Sequence, residues 1–549
     1  MITRLPDPSS GDHGAQRSEG SGNSPGQSPT PAAAEGSAPR YNFLVINADD
    51  MRSDELLLMP HVRQFAEGAV TFRNSFAPNP LCCPSRASFL TGQYSHNHLV
   101  KSHDRPYGFS SFDDRATLAT ALQDAGYQTA LVGKYLNWYG ARPTRDGEDS
   151  LHYVPPGWSE WWGSSDKVWR RGDPFKGGTY NYFNLVSNVN GKIEGWPGQY
   201  TTNVTGQQVR HLVDTFSQSD QPWFIWYNPV APHHGFPAEP DDIHGQEPGD
   251  GDRSIWQSPA RPEAVKGKFD DVIPRGLGVP AEGVPEDDRS DKPDYLREST
   301  EYNDRDLEAL TSLSRQRAEA LSVLDDEFAR ILAQLDRADQ RTSTIVIFTS
   351  DNGFYLGEHG KRAGKVTPHE PSIRVPLIVA VPGQEPADRF DPISTIDLAP
   401  TLLGWAGAQL PHVDGVDMRS VISDGDKGWT RAIALEGLMP DPRYQPAKSQ
   451  DGFSLRGIRV GKWKLVRYST GEFELYDLEL DPLELSSRSR AGVPRATWRD
   501  LQSVWEQLVT CREEVCRTEL PPSLALNPKA NEMLTEAQAA AERDYYRAE

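Results

Sequence analysis

Phe43-Leu44-Val45-Ile46-Asn47-Ala48-Asp49-Asp50 is the stretch from which the fold of this 549-residue chain is read. Four consecutive apolar residues suit a strand covered on both faces, the kind found inside parallel sheets. The run then ends in two adjacent carboxylates. The same grammar recurs along the chain. Thr129-Ala130-Leu131-Val132 leads into Gly133-Lys134-Tyr135-Leu136-Asn137, and Trp223-Phe224-Ile225-Trp226-Tyr227 into Asn228-Pro229-Val230-Ala231-Pro232-His233-His234. Thr344-Ile345-Val346-Ile347-Phe348-Thr349 runs into Ser350-Asp351-Asn352-Gly353, and Val375 to Val381 is one more apolar strand.

Between these runs lie helical patterns. Thr117 to Ala125 reads as one helix. Leu321, Leu324, Phe328, Ile331 and Leu335 recur at three- and four-residue steps, with Glu319, Asp325, Asp326 and Arg330 on the other face. Helices alternating with apolar strands predict an α/β fold: a large, mostly parallel (mixed) sheet flanked by helices. In open α/β sheets ligands bind beyond the carboxyl ends of the strands. Asp49, Asp50, Lys134, His233, Asp351 and Asn352 all fall there, a position that scattered core or surface residues would not share.

The main α/β domain spans residues 41–415. From about Val416 the character changes to short alternating strands joined by Gly turns (Gly457 to Val460, Trp463 to Tyr468, Phe473 to Leu478), then a helix over Ala496 to Leu508. Residues 416–549 therefore read as a smaller C-terminal α+β subdomain on a short antiparallel sheet, with a terminal helix beyond Asn527. Glu239 to Lys292 is acidic and rich in Pro and Gly, an irregular insertion. Residues 1–40 are rich in Gly, Ser, Pro and Ala, read as a disordered tail, and show no apolar signal-peptide core.

The net charge of −21 argues against nucleic acid and anionic membranes as partners. A mean hydropathy of −0.63, with no long uncharged apolar run, excludes a transmembrane helix. Of four cysteines, Cys511 and Cys516 are close enough to close a small loop by a disulfide, which would imply an oxidising, extracytoplasmic setting. Two reduced thiols in a cytosolic protein is the alternative.

Chemistry concentrates in Leu81-Cys82-Cys83-Pro84-Ser85-Arg86-Ala87-Ser88-Phe89-Leu90-Thr91-Gly92. This is a loop running into a helix, with Pro84 suited to its first turn and Gly92 to its end. Cys82 would stand just before a helix N-terminus, where free N–H groups favour an anion, and Arg86 adds a planar cationic fork. A thiol there is a nucleophile candidate; a buried structural thiol is the other reading. Asp49 and Asp50 are hard donors suited to Ca²⁺ or Mg²⁺, or else a helix cap. Trp138, Trp158, Trp161, Trp162, Trp169 and Trp196 crowd one stretch, to stack on sugar rings or to fill a core.

Cys82-Cys83-Pro84-Ser85-Arg86 followed by Leu90-Thr91-Gly92 resembles the signature of the type I sulfatases, formylglycine-dependent enzymes with an alkaline-phosphatase-like fold. The resemblance runs from about Tyr41 to Arg517. It implies that Cys82 is oxidised to formylglycine by a formylglycine-generating enzyme. It also implies that Asp49, Asp50, residue 82, Asp351 and Asn352 hold a divalent cation, generally Ca²⁺. Arg86 would hold the formylglycine hydrate, Lys134 and Lys365 would contact sulfate, and His233 would protonate the leaving oxygen, with His234 as the competing choice. Many members carry a His where this chain has Leu136. The Gly133-Lys134-Tyr135-Leu136-Asn137 form is similar to N-acetylglucosamine-6-sulfatases and heparan endosulfatases, and makes Asn137 a substrate contact beside His234 and His359. The implied activity is hydrolysis of sulfate monoesters of a sugar or aryl alcohol, and the acidic balance favours a small substrate over a long polymer. Two rivals remain: a phosphodiester or phosphonate monoester hydrolase of the same superfamily, and a non-catalytic sulfated-glycan binder if Cys82 is not converted.

Overall fold

The computed structural model describes residues 40–170, 172–243, 258–283, 286, 288–299, 301–444 and 452–547. The tail expected over 1–40 lies outside the described residues except for Arg40, as does the middle of the acidic insertion. Ten strands form one sheet: β1 Asn42–Ala48, β2 Val70–Phe72, β3 Gln128–Gly133, β4 Glu160–Ser164, β5 Asn184–Val189, β6 Lys192–Pro197, β7 Trp223–Asn228, β8 Thr344–Ser350, β9 Leu377–Ala380 and β10 Ala387–Arg389. Their order is β10-β2-β9-β8-β1-β7-β3-β4-β5-β6. The five strands β8, β1, β7, β3 and β4 run parallel. The Val375–Val381 run enters as β9, antiparallel to both β8 and β2, and a β5–β6 hairpin closes the far edge antiparallel.

The continuous apolar character of β1 follows from burial on two sides. Phe43 and Val45 pack with α2 (Cys82–Thr91), α3 (Leu118–Asp124) and α6 (Thr395–Ala406). Leu44 and Ile46 pack with α1 (Pro60–Ala66), α4 (Thr201–Phe216) and α5 (Asp304–Arg337). Each such side chain contributes roughly 1.5–3 kcal/mol of burial. Helix α2 is buried along all ten residues, which is why it lacks an amphipathic stripe. Gly92 ends it at φ 65°, where a Cβ would meet Val413 Cγ1 at 3.0 Å.

Helix α5 begins at Asp304, well before the periodic stretch that starts at Glu319. Asn303 and Asp306 form its capping box, and its first half buries Ala309, Leu310 and Leu313 beside paired charges, Arg317 bonding Glu55 and Arg362 bonding Asp306. Buried charges set among those apolar residues blur the apolar period. Of the crowded tryptophans, Trp158 and Trp161 are core, 5.9 Å apart, with Trp158 stacked on Trp226. Trp138 lies outside that core, under the Arg142 guanidinium.

Beside a two-stranded sheet that pairs Ser75–Phe76 with Ile393–Ser394, four antiparallel strands, β11 Ile433–Gly437, β12 Leu455–Val460, β13 Trp463–Tyr468 and β14 Phe473–Asp477, make a separate sheet. Helix α7 (Arg495–Leu508) covers it, and α8 (Pro528–Tyr546) ends the described chain. The core of the four-stranded sheet takes in Phe76, Ile373 and Ile396 from the main part, so the C-terminal unit packs on it. Cys511 and Cys516 are joined by a disulfide inside that core. Among the described residues no helix is long and apolar enough to cross a membrane.

Candidate active site

The site begins with register. Ala48 pairs with Ser350 at the ends of β1 and β8, and Gly133 with Asn228 at the ends of β3 and β7. The segments after these strands therefore leave the sheet side by side: Asp49-Asp50, Asp351-Asn352, Lys134, and the loop reaching His233. The Asp351 N–H bonds the Ala48 carbonyl at 3.1 Å, and the Asp49 N–H bonds that of Ala231 at 3.2 Å. Gly133 is required here: φ is +95°, and a Cβ would lie 2.2 Å from the Asn228 carbonyl oxygen. Asp50 holds a left-handed φ of 67° without being glycine. Its N–H donates to Asp351 Oδ1 (3.0 Å) and its carbonyl accepts from Arg317 (2.6 Å), which fixes the strained residue in place.

Helix α2 delivers Cys82 onto this platform as its first helical residue, one position further in than expected. Its sulfur lies 3.3 Å from Asp49 Oδ1, 3.4 Å from Asp50 Oδ1 and 2.7 Å from Lys365 Nζ. One turn on, Arg86 bonds Asp351 Oδ2 (2.8 Å), Asn228 Oδ1 (2.9 Å) and the Lys134 carbonyl (3.1 Å). Lys134 Nζ meets Asp49 Oδ2 at 2.6 Å, Lys365 bonds Asp50, and Asn352 Nδ2 donates to Asp50 Oδ1 at 2.8 Å. His233 Nε2 lies 3.7 Å from Asp50 Oδ2. Its Nδ1 is 2.7 Å from the His234 carbonyl, so the proton sits on Nδ1 and Nε2 faces the site.

Three carboxylates thus face three permanent cations in a nearly dry cluster. Burial alone would push Asp49 and Asp50 up. Lys134, His233 and Arg86 outweigh it at Asp49, and Lys365, His233 and Lys134 at Asp50, holding both below the usual carboxylate range. The Cys82 thiol is pushed well up by burial and by the two aspartates. Of the two readings of the unmodified thiol, nucleophile candidate or buried structural thiol, this environment favours the second.

The donor set suits a hard cation. Asp50 Oδ2 and Asn352 Oδ1 are buried oxygens with no hydrogen-bond partner among the described residues. Ligand atoms of Asp49, Asp50, Cys82 and His233 lie within 4.8 Å of one another. Carboxylate and amide oxygens are what Ca²⁺ and Mg²⁺ take.

Asn137 and His234 stand at the edge of this group. Asn137 Nδ2 bonds the Tyr180 hydroxyl at 2.6 Å, and the Tyr180 ring lies 4.8 Å from that of His233 and 5.1 Å from Lys134 Nζ. The His234 ring is 4.1 Å from that of His233. His359 is not brought to the cluster: it bonds Glu286 at 3.0 Å and lies against His369, 4.4 Å between rings. Sequence reasoning missed Tyr180 and Arg317, and gave no role to Asn228. Only Asn228 carried a signal, its place at a strand end.

Comparison with known proteins bears on the family. The Sulfatase family model matches residues 41–408, and the model of the N-sulphoglucosamine sulphohydrolase C-terminal region matches residues 357–509. An arylsulfatase of Volvox carteri is 27% identical over 531 residues, covering 87% of this chain and 76% of its own. An N-acetylglucosamine-6-sulfatase of Capra hircus is 29% identical over 425 residues, covering 74% of this chain and 67% of its own. A protein solved in complex with its substrate D-glucosamine-2-N,6-O-disulfate shares the fold, with a TM-score of 0.61 at 19% identity, over 87% of this chain and 98% of that one.

Proposed function

The chain belongs to the sulfatase family and hydrolyses sulfate esters, and from that premise we propose that it acts on a small sugar or aryl sulfate through formylglycine at position 82 and a bound divalent cation, Ca²⁺ fitting best. The observation that carries the reading is the convergence on residue 82 of three carboxylates, two lysines, Arg86 and His233 at four adjacent strand ends. The leaning toward a sugar draws on the goat relative and on the substrate of the solved neighbour.

In the formylglycine form residue 82 would supply a hydrated aldehyde as oxygen nucleophile, and Asp49, Asp50, Asp351 and Asn352 would hold a divalent cation, which would supply positive charge against the anionic ester. Arg86 orients the group at residue 82 while pinned by Asp351 and Asn228. Lys134 and Lys365 neutralise the sulfate oxygens and position the sulfur, the main leverage in such transfers. His233 donates its Nδ1 proton to a carbonyl, which turns Nε2 toward the site. Burial lowers its pKa to about 4, so it would serve as proton donor to the departing alcohol only after Nε2 takes up a second proton, as the imidazolium. The thiol of an unmodified Cys82 has no comparable route, being buried and protonated.

The test is twofold. Mass spectrometry of the peptide carrying residue 82, from protein made in its native host, should find the aldehyde; a free thiol throughout would favour a glycan-binding role. Turnover of p-nitrophenyl sulfate should exceed that of a phosphate diester and of a phosphonate monoester, and the reverse order would move the chain to the phosphoester branch.

A further inference from the structure

One aromatic ring packed against the site has no part in that chemistry. The ring of Tyr180 lies 4.8 Å from that of His233 and 5.1 Å from Lys134 Nζ. Its segment is held there from two directions. The Thr179 N–H bonds the Ser165 carbonyl just past β4 (3.0 Å), and the Phe236 N–H bonds the Tyr180 carbonyl (2.7 Å). Two residues on, the Tyr182 hydroxyl donates to the His233 carbonyl at 2.6 Å. A Cβ on Gly235 would lie 2.5 Å from the Tyr180 carbonyl oxygen, so only glycine permits this approach. Tyr180 is thus fixed to the same loop that presents His233.

Place and exposure put this ring on the alcohol side of the ester. It rests on His233, the residue that serves the departing alcohol. Asp49, Asp50, Cys82, Arg86, Lys134 and His233 are all buried, whereas Tyr180 and His234 are half-buried, their rings 6.5 Å apart and within 12° of parallel. The two therefore border the way from the cluster to solvent, where the alcohol part of a bound ester must lie. The Tyr180 hydroxyl accepts from Asn137 Nδ2 at 2.6 Å, which leaves its own proton to give. Asn137 is 6% exposed, and its Oδ1 is buried with no hydrogen-bond partner among the described residues, a state that costs free energy until something bonds it. With the amide turned the other way, the pair would still keep one donor and one acceptor. Such a pair is poorly matched to a sulfate oxygen, which only accepts and whose charge Lys134, Lys365 and Arg86 meet. It matches an uncharged hydroxyl or acetamido group, which both gives and takes.

We propose that Tyr180 is a specificity-determining residue whose hydroxyl, set by Asn137, hydrogen-bonds an uncharged polar substituent on the alcohol part of the sulfate ester. This rests on the sulfatase reading of the site. A site built to bond such a group discriminates against substrates that lack it. Tyr180→Phe and Tyr180→Ala would be compared with wild type on N-acetylglucosamine-6-sulfate and p-nitrophenyl sulfate, with folding checked by circular dichroism. The phenylalanine variant keeps the ring on His233 and removes only the hydroxyl. Its kcat/KM for the sugar ester should fall about tenfold more than that for the aryl ester, chiefly through KM. The alanine variant also withdraws the ring packed on His233 and should add a loss of kcat.

In Tyr180→Phe, equal losses on both esters, loss on neither, or a kcat effect that grows with leaving-group basicity would each overturn the proposal. So would a wild-type enzyme that cleaves the aryl ester and leaves the sugar ester intact. A folded wild-type protein that cleaves neither would sink the sulfatase reading itself, and this inference with it.

Discussion

The ammonium of Lys365 lies 2.7 Å from the Cys82 sulfur and is bonded to Asp50 as well, so one flexible cation touches both the reactive position and a candidate cation ligand. The two come from segments far apart in sequence, one opening α2 and the other following β8. The same pairing recurs a turn further on, where Arg86 of α2 bonds Asp351 at the end of β8. Helix and sheet are thus locked together by the groups that would carry the chemistry, which ties geometry at residue 82 to the integrity of the carboxylate cluster.

Replacing Cys82 by Ala should abolish turnover and leave the fold intact. The side chain fills little space and its sulfur accepts no bond that the helix needs. Near-wild-type hydrolysis of p-nitrophenyl sulfate by Cys82→Ala would refute a covalent role for residue 82.

Asp351→Asn should weaken cation binding and activity together. It keeps the shape but removes the charged partner that Arg86 bonds directly, leaving Asp49 at 3.7 Å, a loss of about 3–5 kcal/mol in stability. Metal content of the purified variant, read by elemental analysis, should drop below that of wild type. Unchanged content would remove Asp351 from the ligand set.

His233→Ala should reveal itself through the leaving group. A positioned proton donor contributes roughly 10²–10⁴-fold when the departing alcohol is basic and much less when it is a nitrophenol. A series of aryl and alkyl sulfates should therefore give the variant a steeper dependence of rate on leaving-group pKa. A parallel drop across the series would make His233 a positioning residue only.

The site was legible where its residues end strands buried on both faces. Phe43 to Ile46, Trp223 to Tyr227 and Ile345 to Phe348 are apolar at successive positions because helices cover both sides of the sheet, and the polar residue after each run stands out. The β5–β6 hairpin hid because Ser187, Asn188, Lys192 and Glu194 break any apolar run at the sheet's edge. His359 follows Asp351 closely in sequence, but a left-handed backbone there (φ 54°) accompanies a ring bonded to Glu286. Tyr180 comes from an irregular segment with neither period nor motif. Its place beside His233 and Lys134 depends on how that segment folds back, which only three dimensions disclose.

Acid should destabilise this protein through histidines buried in neutral form, and His98 offers the clearest case away from the cation ligands. The Val100 N–H donates to its Nδ1 (3.1 Å), so the ring proton sits on Nε2, 2.9 Å from Ser88 Oγ in α2. Burial lowers its pKa to about 3. In the unfolded chain the ring titrates near its ordinary value of about 6.5. Between those two values the unfolded state binds a proton that the folded state refuses. The stability this group contributes is therefore complete above pH ~6.5 and declines by up to about 1.4 kcal/mol per pH unit below it. His96 has the opposite sign, because its pair with Glu436 (2.6 Å) raises the folded pKa, and below pH ~6.5 it is charged in both states and adds no slope. Urea midpoints of wild type and His98→Asn at pH 7.5, 6 and 5 would test this. The variant should start less stable and lose less on acidification, and identical slopes would show that His98 protonation is not what opens the fold.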